Sequence, residues 1–209
     1  MSDYNYKIER ELFPKIDHIK NIKILELGVQ TGRSTLKFLD LCKVNNGHLY
    51  SVDINDCSNV SKDKNWKFIQ SRDDNLELIK REIPDRLDVI FIDTTHEANH
   101  VERVIYNYYD LLKKGGYLFI DDISHLPYQK GSERNKFYCE INNKETFELI
   151  LEIYNNNSKN FDLNFSFISS GMAIIQKKTN EKLSNKSKVI SRENSLKNIF
   201  RKLWKKVKS

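Results

Sequence analysis

Short unbroken apolar runs alternate along the middle of the chain with stretches whose apolar residues recur every three or four positions. Ile22–Gly28 (IKILELG), His48–Ile54 (HLYSVDI), Trp66–Gln70 (WKFIQ), Leu87–Asp93 (LDVIFID) and Tyr117–Ile123 (YLFIDDI) read as five strands. Continuous Ile, Leu, Val and Phe marks strands covered on both faces, as in a parallel sheet. Helices are expected through Ser34–Lys43, near Asp74–Glu82, and from the fourth strand through about Lys113, where Gly115-Gly116 would end the helix. A polar stretch, Ser124–Asn143, is long enough to serve as a lid or substrate loop. The pattern then predicts a helix over Lys144–Asn155 and strands about 161–168 and 171–177, joined by a tight turn. The expected fold is α/β: a Rossmann-like, doubly wound, seven-stranded, mostly parallel sheet with a C-terminal antiparallel hairpin. It occupies residues 1–177. Residues 178–190, polar and lysine-rich, read as a linker, and 191–209 as a basic amphipathic tail helix.

Composition narrows this picture. The 209 residues suffice for one domain with a substantial core, and 39% apolar with 31% charged is an ordinary globular balance. No run approaches the roughly 18–20 apolar residues of a membrane span. The polar, acid-bearing N-terminus argues against a secretory signal. Cys42, Cys57 and Cys139 are widely spaced without a CxxC pair, which points to reduced thiols and a cytoplasmic setting. The net charge of +6 is misplaced for a nucleic-acid-binding body. Residues 178–209 hold eleven Lys/Arg and two Glu, while residues 1–177 hold 24 basic and 27 acidic residues. The body is mildly acidic and the basic character belongs to the tail.

In the tail, Leu196, Ile199, Phe200, Leu203, Trp204 and Val207 recur at helical steps, with Lys197, Arg201, Lys202, Lys205, Lys206 and Lys208 between them. Such a helix can lie on an anionic membrane surface, which would make the protein peripheral at the inner face of the membrane. Packing against the domain is the plainer alternative, and stacking of Phe200 and Trp204 on nucleic-acid bases a lesser one.

The first strand runs into Glu26-Leu-Gly28-Val-Gln-Thr-Gly32-Arg-Ser34. Gly28 permits a sharp turn beneath a ligand, Gly32 a close backbone approach, and the following helix N-terminus offers free N–H groups. Asp53 at the end of the second strand can accept hydrogen bonds from ribose hydroxyls. No Gly-Lys-Ser/Thr follows, so a phosphate-loop NTPase is excluded. The GxxxG spacing and Glu26 suit a pyrophosphate poorly and a cationic methionine moiety well. ILELGVQTGRST resembles the first motif of class I S-adenosylmethionine methyltransferases, and SVDIN the second, over roughly residues 15–177. The resemblance implies cofactor contacts at Glu26, Gly28, Gly32, Ser34 and Asp53. Ser71-Arg-Asp73 resembles the adenine-edge motif and adds Asp73.

Asp93 ends the fourth strand, and Asp121 and Asp122 the fifth, so adjacent strands would bring all three to one edge. Three carboxylates in one cleft repel unless a cation neutralises them, and oxygen-only ligands favour Mg²⁺. The arrangement resembles metal-dependent O-methyltransferases of the catechol type and, more closely, the macrocin-type sugar enzymes. That resemblance implies a divalent-cation site at Asp93, Asp121 and Asp122. Thr95 stands where many sugar enzymes carry an acid proposed as general base. His96, at the position of the catechol-type catalytic lysine, is then the candidate base, with Asp93 beside it. His96-Glu97-Ala98-Asn99-His100 also matches HExxH, but directly after a parallel strand rather than inside a helix.

The expected activity is methyl transfer from S-adenosylmethionine to a hydroxyl oxygen of a small-molecule acceptor, a sugar or polysaccharide precursor, with Mg²⁺ assistance. Tyr128, Arg134 and Tyr138 of the polar stretch are candidate acceptor contacts. The rival readings are a non-catalytic S-adenosylmethionine-fold binding module and a zinc hydrolase.

Overall fold

The computed structural model describes residues 3–125, 137–188 and 195–208. Tyr128 and Arg134 lie outside these residues, as does most of the lid expected over Ser124–Asn143. The strands are β1 (Lys23–Leu27), β2 (His48–Asp53), β3 (Trp66–Gln70), β4 (Leu87–Ile92), β5 (Leu112–Asp121), β6 (Phe161–Ser166) and β7 (Met172–Lys177). They form one sheet in the order β3-β2-β1-β4-β5-β7-β6. Pairing is parallel from β3 to β5, whereas β7 runs antiparallel to both β5 and β6. This is the seven-stranded Rossmann-like sheet that the apolar runs predict.

The N-terminal residues contribute α1 (Asp3–Lys7), a π-helical turn (Ile8–Leu12) and α2 (Phe13–Ile16). The remaining helices are α3 (Arg33–Asn45), α4 (Leu76–Glu82), α5 (Ala98–Tyr108), α6 (Phe137–Asn157) and α7 (Leu196–Lys208). Side chains alternate across β4: Val89 and Phe91 join Ile8, Leu12, Ile16 and Phe38 on one face, while Ile90 and Ile92 join Val101, Val104, Ile150 and Ile153 on the other. Helices thus cover both faces, and the central strands are buried on both sides.

Two boundaries differ from the sequence reading. The helix expected to reach Lys113 stops at Tyr108, a 3₁₀ turn follows at Tyr109–Leu111, and β5 begins at Leu112. Gly115-Gly116 is therefore not a helix stop but an irregularity within the strand, where the pairing register to β4 shifts. Gly115 takes a left-handed φ of 84°, and a Cβ on Gly116 would come within 2.7 Å of the Asp88 carbonyl oxygen. Helix α6 begins seven residues earlier than the expected Lys144, so it takes up the end of the polar stretch. There Asn143 Nδ2 donates to the Ser124 carbonyl.

Residues 178–188 have no regular structure but are not a free linker. Tyr106 donates to the Ser184 carbonyl, Asn156 to that of Asn185, and Lys186 pairs with Glu102. The segment is tied to the body by α5 and α6, and Leu183 packs on the core.

Candidate active site

The carboxyl ends of β1, β2 and β4 open into a cleft of about 590 Å³, a size suited to a nucleoside-sized ligand. Its wall includes Gly28, Ser34, Asp53, Asp73, Asp93 and His96. Six of the sequence-predicted residues therefore face one space. Glu26 and Gly32 do not line it; they lie beneath and behind the turn.

The turn explains both glycines. Gly28 has a φ of 97°, and a Cβ there would fall 1.9 Å from the Asp93 carbonyl oxygen, so β1 and β4 come together only over a missing side chain. Gly32, at φ 78°, precedes α3 as its N-cap, and a Cβ there would meet Val60. Asp53 holds the turn from the side. Its Oδ2 accepts from the backbone N–H groups of Val29 and Gln30 at 2.9 and 3.0 Å, and its Oδ1 from Asn55 at 2.9 Å. Burial alone would raise this carboxyl, but the three backbone donors outweigh it and hold the group below the ordinary aspartate value.

Under the turn, Glu26 is fully buried. Its Oε2 accepts from Ser51 at 2.6 Å and Thr35 at 2.8 Å, while Oε1 has no hydrogen-bond partner. Burial pushes its carboxyl up to about 7, against the pull of the Ser34, Ser51 and Thr35 hydroxyls.

Asp73 is bound by His100, whose Nε2 lies 2.7 Å from Asp73 Oδ2. This contact breaks the zinc-hydrolase reading. His100 turns to the β3 side, whereas His96 sits 3.2 Å from Asp122 and 3.9 Å from Asp93. His96 and Glu97 also precede α5 rather than lying within it. Among the described residues, no group of three or more His, Cys, Asp or Glu is arranged to hold a metal ion.

The β4–β5 edge departs from expectation most. Asp93, Asp121 and Asp122 do gather there, but residues of α1 are already bound to them. Tyr4 donates its hydroxyl proton to Asp93 Oδ2 at 2.9 Å. The Lys7 ammonium pairs with Asp121 Oδ1, which also accepts from the Asp122 N–H and the Ser170 hydroxyl. Asp122 adopts a left-handed φ of 59°. Burial raises the carboxyl of Asp93 well above the ordinary value, and the nearby charges of Asp121 and Asp122 raise it further. Burial raises Asp121 too, opposed by Lys7. The three acids as arranged do not fit a divalent cation, because Asp121 is committed to an ammonium and Asp93 to a phenol. Tyr4 and Lys7 were not signalled by the sequence; a lone Tyr and Lys in a polar N-terminus carry no motif.

Residues 25–123 match a family model described as a methyltransferase domain. The seven-stranded sheet is the Rossmann-like α/β fold also seen in solved methyltransferase structures. The solved structure of the S-adenosylhomocysteine-bound methyltransferase PaMTH1 from Podospora anserina is 14% identical, with a TM-score of 0.61 over 75% of this chain and 72% of that one. A Staphylococcus aureus protein provisionally named a caffeoyl-CoA O-methyltransferase is 18% identical, with a TM-score of 0.62 over 85% and 84%. MycE of the mycinamycin biosynthetic pathway, solved with Mg, S-adenosylhomocysteine and mycinamycin VI, is 18% identical, with a TM-score of 0.58 over 87% of this chain. The present chain spans only 50% of the MycE chain. No curated protein matches the sequence.

Proposed function

We propose that the protein transfers a methyl group from S-adenosylmethionine to a hydroxyl oxygen of a small-molecule acceptor, with a sugar or glycan precursor as the acceptor class. The observation that carries this reading is the Asp53-pinned glycine turn opening into the same cleft as Asp93 and His96. The cofactor would lie along the turn, with Asp53 accepting from its ribose and Asp73 beside its adenine. The negative charge of Glu26 below the turn would favour the cationic methionine end. An acceptor hydroxyl placed against His96 would lose its proton to the imidazole as its oxygen attacks the sulfonium methyl. The Asp122 and Asp93 carboxylates at 3.2 and 3.9 Å would stabilise the imidazolium so formed. The O-methyltransferase name of the Staphylococcus aureus neighbour agrees with an oxygen acceptor, and the MycE structure holds mycinamycin VI together with S-adenosylhomocysteine.

The test is calorimetric titration of S-adenosylhomocysteine into wild type and Asp53→Ala, followed by labelled methyl transfer to a panel of hydroxylated acceptors. Tight binding lost in Asp53→Ala, with turnover lost but binding kept in His96→Ala, supports the reading. Absence of any affinity in wild type ends it, and binding without transfer to any acceptor favours the non-catalytic alternative.

We further propose that α7 rests on an anionic membrane surface at the inner face of the membrane. Leu196, Phe200, Leu203 and Trp204 are more than half exposed on a helix whose sequence is otherwise rich in Lys and Arg. Among the described residues, no helix is long and apolar enough to cross a membrane.

A further inference from the structure

The Lys7 side chain is fully buried, although it belongs to the first helix of the chain. Its ammonium has three N–H donors and meets three acceptors: Asp121 Oδ1, the Ser170 hydroxyl at 2.7 Å and the Gly171 carbonyl at 3.4 Å. The Tyr4 ring lies 5.0 Å from the same nitrogen, within cation–π range. Tyr4 in turn spends its hydroxyl on Asp93 and contributes to the cleft wall. Both acidic strand ends, β4 and β5, are therefore engaged by one turn of helix.

The packing around this turn fixes it in place. Ile8, Leu12 and Ile16 are fully buried against Ile24, Phe38, Phe119 and Met172. Glu9 is held by Lys37 at 2.6 Å. At the far side, Gly171 has a φ of 82°, and a Cβ there would come within 2.6 Å of the Ser124 backbone nitrogen. The loop between β6 and β7 can thus approach Lys7 closely only with glycine at this position.

We propose that Lys7 is the resident cation of the β4–β5 edge, standing where a divalent ion would otherwise be needed, so that this protein binds its cofactor and acceptor without one. A divalent ion needs Asp93 and Asp121 with free oxygens converging on one point. Here the charge of Asp121 is matched by an ammonium whose own hydrogen bonds are complete, and a cation entering would have to expel it from a buried pocket. The segment 3–16 becomes part of the site: Tyr4 and Lys7 set the charge and shape of the floor on which an acceptor would sit, and they are positioning residues. The pairing of Lys7 with Asp121 holds whatever the cleft binds; only its consequence for an acceptor rests on the methyltransferase reading.

The test is Mn²⁺ titration of the full chain followed by electron paramagnetic resonance, for wild type, Asp121→Asn, Lys7→Met and Lys7→Met/Asp121→Asn. Wild type should bind no Mn²⁺, and its affinity for S-adenosylhomocysteine should be the same in Mg²⁺ and in EDTA. Lys7→Met should gain one bound Mn²⁺ and a Tm that rises on adding it, and both gains should vanish in the double variant. Mn²⁺ binding by wild type that Asp121→Asn abolishes would overturn the proposal, as would a folded Lys7→Met that takes up no ion. The wild-type arm decides the matter even if Lys7→Met does not fold. Should S-adenosylhomocysteine fail to bind at all while the Mn²⁺ results hold, the cofactor assignment fails and the resident-cation assignment stands.

Discussion

Two neighbouring parts of one sheet edge gather acids and satisfy them in opposite ways. At the β1–β2 end, Asp53 is satisfied by backbone N–H groups of the adjoining turn, and Glu26 by hydroxyls. None of these partners carries a charge, so the negative charge of Asp53, which lines the cleft, is met only by dipoles. At the β4–β5 end, Asp93 and Asp121 are satisfied by Tyr4 and Lys7, which lie 89 and 114 residues away in sequence. There the charge is largely spent inside the protein. The first arrangement suits a site built to receive a positive group, and the second one built to receive a neutral acceptor.

The strongest way to break this comparison is to remove the internal cation. Lys7→Ala leaves Asp121 buried beside Asp122 without its ammonium, and the loss of one partner of a buried pair costs about 3–5 kcal/mol. For a chain of this size that is a fall in Tm of roughly 10 °C or more, read by calorimetry. Lys7→Met combined with Asp121→Leu should recover most of it, because the buried charge then disappears from both sides. A cost for Lys7→Ala of only about 0–1 kcal/mol, as for an exposed pair, would mean that the two ends do not differ as described.

The glycine turn at one end of this contrast was legible in the sequence, and the partners at the other end were not. Gly28, Gly32 and Asp53 are readable because their work is local: a turn, a helix start and an acid on the next strand, all within one βαβ unit. The seven strands and their mostly parallel sheet follow from the same unbroken apolar runs. The sequence also announced that Asp93, Asp121 and Asp122 would share an edge, since strand ends fix where they emerge. It could not announce their partners, because Tyr4 and Lys7 reach them only through the packing of Ile8, Leu12 and Ile16. Their π turn has no signature beyond ordinary helical spacing. Gly115-Gly116 misled for a related reason: a glycine pair looks alike after a helix and within an irregular strand.

Glu26 sharpens the β1–β2 end of the comparison. Its folded-state carboxyl, at about 7, lies above the ordinary glutamate value near 4.5, so the folded protein binds the proton more tightly than the unfolded chain. The unfolded chain releases that proton first as pH rises, and stability falls between about pH 4.5 and 7. Glu26→Gln removes this slope. Its stability relative to wild type should improve by up to about 3 kcal/mol from pH 4.5 to pH 8 in the absence of ligand. Asp93 and Asp121 contribute the same sign of slope in both proteins, so denaturant midpoints compared between the two isolate Glu26. Equal slopes would show that its buried oxygens find partners when ionised.

Asp53→Ala should act on ligand affinity more than on folding. Losing hydrogen bonds to a charged group of this kind costs about 1.5–3 kcal/mol, equivalent to a roughly 10- to 150-fold weaker Kd for S-adenosylhomocysteine. The Val29 and Gln30 N–H groups it leaves behind lie at the open cleft, where water can replace the carboxylate, so the Tm should move little. The same substitution should leave the Mn²⁺ behaviour of Lys7→Met unchanged, because it lies at the other end of the edge. A coupled response would mean that the two ends share one charge balance.

The smallest effect on stability is expected from the tail. Leu196, Phe200, Leu203 and Trp204 remain more than half exposed, so little apolar area is buried when α7 meets the body. Deleting residues 191–209 should therefore shift the unfolding free energy by no more than about 0.5 kcal/mol, within the range of surface changes. The deletion should instead abolish sedimentation with vesicles containing phosphatidylserine. Binding of the full chain should weaken as salt is raised, since the lysines act through a screened potential. Salt-insensitive binding would assign the contact to the apolar face alone. A large loss of stability on deletion would mean that α7 belongs to the folded body and is not held out for a membrane.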